Sequence, residues 1–180
     1  MLPSSIRSLV LTKLEEGLPG LNKTWGKFLA EASAVCFECS RHPKGVQLAV
    51  KGIKPTVFEV QWNIEISEQD IRSWDNDHDM AEYGACGIAV LLILELTEYT
   101  VIRRARTGDG VDYWLGSKDS PLPFQDAARL EVSGMLTGND SKERTRIQQK
   151  KKQTEPSDGS LPAYVVVVNF QRPVSHLVQK

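Results

Sequence analysis

Charge of one sign, cysteine and long apolar runs are all scarce in this chain of 180 residues. The 22 Lys and Arg against 23 Asp and Glu leave a formal net charge of −1. The molecule as a whole therefore exerts no strong pull on nucleic acid, although a neutral sum leaves room for a local basic patch. Three cysteines (Cys36, Cys39 and Cys86) are too few and too unevenly placed for a disulfide framework. The opening residues 1–7 show no basic start followed by an apolar stretch and a small-residue cleavage site. The longest apolar run, Gly84 to Leu94, falls short of the ~20 residues that span a bilayer. A cytoplasmic protein without a membrane span is the expectation. Also missing are a glycine-rich phosphate loop, a Gly-x-Ser-x-Gly elbow and a His-Glu-x-x-His helix.

What is present is a succession of short periodic segments. Ile6, Leu9, Val10 and Leu14 predict a helix over 4–17 that stops at Gly17. A second helix is predicted over 21–38, where Trp25, Phe28, Leu29, Ala32 and Val35 recur at three or four. Residues 45–51 and 56–62 alternate apolar and polar and predict a β-hairpin. Ser67 starts a short helix to Trp74, with Asp70 as the capping acid. Residues 80–97 read as a buried helix, although the β-branched Ile88, Val90 and Ile93 leave a strand open. Strands follow at 99–106 and 111–115, joined by the turn Thr107-Gly108-Asp109-Gly110, and a third at 128–135. A polar helix over 140–153, a loop at 155–160 and a strand at 161–170 complete the pattern. The run Tyr164-Val165-Val166-Val167-Val168 suits a strand covered on both faces. The predicted fold class is α/β, a mixed β-sheet flanked by helices in one domain. Residues 1–79 form its N-terminal helical and hairpin extension, 80–170 its core and 171–180 a tail. The two N-terminal helices are candidate contacts for a homodimer or a protein partner, and core packing explains them equally well.

Two carboxylates stand out. Asp112 begins a strand straight after the glycine turn, and Glu131 lies inside the next strand with Ser133 on the same face. If those strands are neighbours, the acids converge at one sheet edge and suit a hard cation such as Mg²⁺ or Mn²⁺. Taken singly, Asp112 reads as a turn residue capping backbone groups, and Glu131 as a solvated position paired with Arg129 or another arginine.

In the order helix, three strands, helix, strand, with Asp112 and then Glu131-Val132-Ser133, residues 80–170 resemble the PD-(D/E)XK nuclease superfamily. The resemblance implies an αβββαβ restriction-endonuclease-like core. It implies Asp112 and Glu131 as Mg²⁺ ligands, Glu82 on the first core helix as a third acid, and phosphodiester hydrolysis with DNA favoured over RNA. This chain departs from the family at Ser133, where a lysine is usual; Lys150 or Gln149 of the following helix would then take the lysine's part. The serine leaves open an active variant, a binding-only relative and a coincidence of short motifs. The catalytic set expected from the resemblance is therefore Asp112, Glu131, Ser133 and Lys150.

The basic residues fall where phosphate contacts would be wanted: Arg104 and Arg106 on one strand, and Lys142, Arg146 and Lys150 four apart on one helical face. A solvated helical face accounts for the same pattern. Tyr113 and Trp114 beside Asp112 either stack on a base or pack inward. Cys36, Cys39 and His42 make half of a zinc pattern without a second pair, so core packing is the expectation there. The two functions in contention are a metal-dependent nuclease-like protein and a non-catalytic interaction subunit that keeps the same fold.

Overall fold

The computed structural model describes residues 6–159 and 161–180. Residues 1–5, which include the start of the helix expected over 4–17, and Ser160 of the expected loop lie outside the described residues. The strands are β1 (Arg7–Val10), β2 (Val46–Gly52), β3 (Thr56–Gln61), β4 (Tyr99–Arg104), β5 (Tyr113–Ser117), β6 (Ala128–Met135), β7 (Ala163–Asn169) and β8 (Val174–Gln179). The helices are α1 (Lys23–Cys39), α2 (Glu68–Ser73), α3 (Asp77–Leu96) and α4 (Asp140–Gln153). All eight strands join in one mixed sheet of order β1-β3-β2-β8-β7-β6-β5-β4.

Side-chain chemistry explains most of these elements. Asn22 opens α1 by accepting the Trp25 backbone N–H at 2.8 Å, and the helix then buries Leu29, Ala32, Val35 and Phe37 against α3. Ser67 and Asp70 form the reciprocal capping box that starts α2. In α3 the run Ile88 to Ile93 is almost wholly excluded from solvent. Over residues 84–93 helix α3 is buried all round because it lies between α1 and the sheet. That sandwich settles the 80–97 segment as helix despite its β-branched residues. On the far side of the sheet α4 is mostly polar and buries only Glu143 and Ile147. There Ile147 packs with Met135, Val165 and Val167 in a second, smaller core. Strand β7 is covered on both faces, Val166 and Val168 belonging to the main core and Val165 and Val167 to the smaller one.

Two expectations are corrected. The helix predicted over 4–17 is instead β1, parallel to β3 in the register Arg7↔Phe58 to Val10↔Gln61, followed by a 3-10 turn over Leu11–Glu16. Leu9, Leu11 and Leu14 are all buried, and this spacing serves a strand that rolls into a tight turn as well as it serves a helix. The expected tail 171–180 is β8, antiparallel to β7 and parallel to β2. By filling that place, β8 joins the N-terminal hairpin to the rest of the sheet. Among the described residues no helix is long and apolar enough to cross a membrane.

Candidate active site at the split between β5 and β6

Strand β5 runs antiparallel to β4 and to β6, and β6 runs parallel to β7 through the α4 crossover. The β5–β6 ladder is short, pairing Tyr113–Leu115 with Leu130–Ala128. Beyond Leu130 the two strands part, while β6 continues to Met135 along β7. The backbone N–H groups of Val132 and Gly134 face the resulting gap, where no strand is present to accept them. Carboxylates accept them instead. Asp112 Oδ2 takes the Val132 N–H at 2.8 Å, and Glu82 Oε1 takes the Gly134 N–H at 3.4 Å. The Asp112 backbone N–H donates to the Leu130 carbonyl at 2.9 Å, so Asp112 sits at the apex of the split. Glycine at 134 is required by α3, since a Cβ there would lie 1.9 Å from the Ala81 carbonyl oxygen. This close approach carries Glu82 to the edge of β6.

Glu131 points to the α4 face of the sheet. Lys150 Nζ of α4 donates to Glu131 Oε1 at 2.7 Å, in a pair whose carboxylate is almost fully buried. Oε2 of Glu131 is buried and has no hydrogen-bond partner among the described residues. The Asp112 and Glu131 carboxyls lie within reach of each other, close enough for one to donate to the other when protonated. Burial, and then the nearby Asp112 charge, push the Glu131 carboxyl up to about 8 against the pull of Lys150. Burial also raises Asp112, opposed by the Val132 N–H and by Lys150. For Lys150, burial favours the neutral amine, but the Glu131 charge outweighs it and holds the ammonium above its usual range. Two acids crowded out of water thus share one lysine, and below about pH 8 a proton stays on the pair.

Ser133 stands beside this pair. Its Oγ donates to Glu82 Oε1 at 3.1 Å and accepts from an Arg146 guanidinium N–H at 3.0 Å. The structure therefore gathers Glu82, Asp112, Glu131, Ser133, Arg146 and Lys150 around one end of β6. Of the solvated-face reading of α4, only Lys142 keeps its character, since Arg146 and Lys150 turn in to β6. Arg129 is not the partner of Glu131; it pairs with Asp158 at 3.2 Å. Among the described residues no three His, Cys, Asp or Glu side chains gather as a metal-ligand set. The Asp112–Glu131 pair offers two carboxylates, and Glu82 is committed to Ser133 and Gly134.

Two cavities meet at His78 and Glu82. One, of about 610 Å³, lies between α3 and α4 and is lined by Lys142, Thr145, Arg146 and Gln149. The other, of about 230 Å³, is lined by Tyr83, Arg104, Asp112 and Tyr113. Arg106 is not among these residues; it borders a separate hollow with Lys152. Tyr113 is buried, and Trp114 is covered by the Arg103 guanidinium 4.6 Å from its ring centre, so neither stands bare beside Asp112. The Cys36 thiol is buried and donates to the Met80 carbonyl, as core packing predicts, and His42 lies 2.8 Å from the Phe170 carbonyl; Cys39, by contrast, is exposed and not part of the core.

Sequence reasoning missed Trp25. The Arg104 guanidinium lies 4.6 Å over its ring, at the mouth of the smaller cavity. No local pattern joins two residues so distant along the chain. Comparison with protein-family models, with curated proteins and with solved structures found no match.

Proposed function

We propose that the protein is a metal-dependent nuclease-like phosphodiester hydrolase acting at the β5–β6 split, with the α3–β4–β5–β6–α4–β7 unit serving as a restriction-endonuclease-like core. The observation that carries the reading is the Asp112–Glu131 pair with Lys150 delivered to it from α4. Lysine chemistry is present at the place where Ser133 replaces the usual lysine, but it arrives from the next helix. The order of elements and the antiparallel, antiparallel, parallel pairing of β4 to β7 support the same reading.

The donor set fits a hard divalent cation. Glu131 Oε2 is a buried oxygen without a partner among the described residues, and once the shared proton leaves, the two acids carry more negative charge than one lysine offsets. Asp112 and Glu131 would hold Mg²⁺ or Mn²⁺, with Glu82 within the same cluster. A divalent cation bound there supplies charge neutralisation at the phosphate and a lowered pKa for bound water. Lys150, held protonated by Glu131, acts as a fixed positive charge toward a phosphate and not as a base. Glu131, pushed up to about 8, holds its proton near neutral pH and would release it to solvent when its oxygens take a cation. Ser133 keeps Arg146 and Glu82 in register at the end of β6. Arg104 and Lys142 border the two cavities, where a sugar-phosphate strand, DNA before RNA, would contact them.

One observation favours the second reading, a non-catalytic interaction subunit. Glu82 is already engaged by Ser133 and Gly134, and no third ligand joins the acid pair among the described residues. Hydrolysis of end-labelled single- and double-stranded oligonucleotides with Mn²⁺ or Mg²⁺ separates the two. Cleavage by the wild type that falls at least about 100-fold in Asp112→Asn and in Glu131→Gln supports the nuclease. A wild type that neither cleaves nor binds Mn²⁺ leaves the interaction subunit.

A further inference from the structure

Resting on the reading of the split as a phosphodiester site, we propose that Trp25 is a positioning residue. It holds the Arg104 guanidinium over the smaller cavity as the group that binds the substrate's phosphate.

Arg104 ends β4 at the mouth of a cavity whose lining includes three carboxylates, Asp79, Glu82 and Asp112. An exposed arginine beside three acids would ordinarily collapse onto one of them. Among the described residues Arg104 forms a salt bridge with none. Its guanidinium carbon lies instead over the Trp25 ring, 4.6 Å from the ring centre. The indole is itself fixed. Phe28 stacks on it at 5.0 Å, Tyr83 meets it edge-on at 5.8 Å, and its N–H points to the Tyr113 hydroxyl at 3.5 Å. The Asn22 cap places Trp25 in the first turn of α1. A guanidinium attracted to the ring face keeps N–H donors that no carboxylate takes, and those donors match two oxygens of a phosphate. The neighbouring Arg103 shows the contrast: it also lies over a tryptophan, Trp114, but its N–H groups are taken by Asp126 at 2.6 and 3.2 Å. Of the two adjacent arginines, only Arg104 both lies over an indole ring and keeps its donors free for an anion at the carboxylate edge. Helix α1, which the sequence placed in an extension, then completes the site.

The test follows the Arg104 side-chain Nε–H resonance of the ¹⁵N-labelled full chain, assigned with Arg104→Lys and titrated with inorganic phosphate and with a dinucleotide. The wild-type resonance should shift with both. Affinity should fall about 3- to 30-fold in Trp25→Leu, which keeps an apolar side chain without a π-face, and largely return in Trp25→Phe. Fluorinated tryptophan, which keeps the shape and drains the negative face, should weaken phosphate binding without changing the fold, and covers the case in which Trp25→Leu does not fold. A wild-type Arg104 that ignores phosphate overturns the proposal, and so does fluorinated or Trp25→Leu protein that binds as tightly as the wild type. Oligonucleotide hydrolysis in Mn²⁺ is read on the same samples. Phosphate bound at Arg104 without hydrolysis removes the nuclease reading and leaves the positioning role standing. Hydrolysis with a silent Arg104 does the reverse.

Discussion

Glu131 holds its proton more tightly in the folded chain than in the unfolded one, where its value returns to 4.5 from about 8. The folded state therefore binds the extra proton between those values, and its contribution to stability is full below about pH 4.5 and is lost as pH rises through about 8. Urea unfolding followed across that range should show this decline in the wild type and a flatter profile in Glu131→Gln; parallel profiles would refute it. Lys150→Met removes the partner of a buried acid. Near pH 6 the acid can stay protonated and the cost is modest, on the order of 1 kcal/mol, whereas near pH 9 it should approach about 3 kcal/mol. A loss that does not grow with pH would place the charge elsewhere. Cation and proton compete for the same oxygens, so Mn²⁺ affinity by calorimetry should rise from pH 6 to pH 8.5 and be absent in Asp112→Asn/Glu131→Gln.

At the scale of the elements, the site depends on how closely α3 lies against β6. Gly134→Ala inserts a methyl group into the Ala81 carbonyl, which must push the helix away and break the Glu82 bonds to Ser133 and Gly134. A loss of about 1–3 kcal/mol in urea unfolding is expected, as for other overpacked cores. Any Mn²⁺-dependent cleavage should fall with it. In β8, Leu177 is fully buried in the main core, and Leu177→Ala should cost about 2–5 kcal/mol. An effect under about 0.5 kcal/mol would mean that β8 is the dispensable tail its sequence suggested. That sequence, Val174-Ser175-His176-Leu177-Val178-Gln179, lacks strict alternation, because both faces of β8 are covered in part. The helix 80–97, the hairpin and the polar helix 140–153 were legible for the opposite reason: each carries its own period or caps.

At the scale of the whole molecule, the sheet is continuous from β1 to β4, and α1 covers α3. A fragment of residues 80–180 would expose the open edge of β8 and the apolar face of α3 that α1 covers. It should show little cooperative unfolding by circular dichroism, while the full chain unfolds in one transition. A fragment that folds on its own would make 1–79 an extension after all. The N-terminal segment is tied to the site by chemistry as well as by packing, since Trp25 of α1 meets Arg104 of β4 at the cavity mouth.

Local signals in the sequence were sufficient for the α/β class, for the helices over 21–38, 80–97 and 140–153, for the turn before Asp112 and for Glu131 inside a strand, although Asp112 itself stands one residue ahead of β5. These follow from short-range chemistry, in which periodicity, capping and turn propensity act within a few residues. Tertiary structure decided the rest. It made a strand of Arg7–Val10 and another of Val174–Gln179, because pairing partners lie far along the chain. The same long-range packing brought Lys150 to Glu131, turned Glu82 to Ser133 and set Trp25 beneath Arg104. Contacts between distant residues leave no mark in local sequence, and the candidate site is made almost entirely of such contacts.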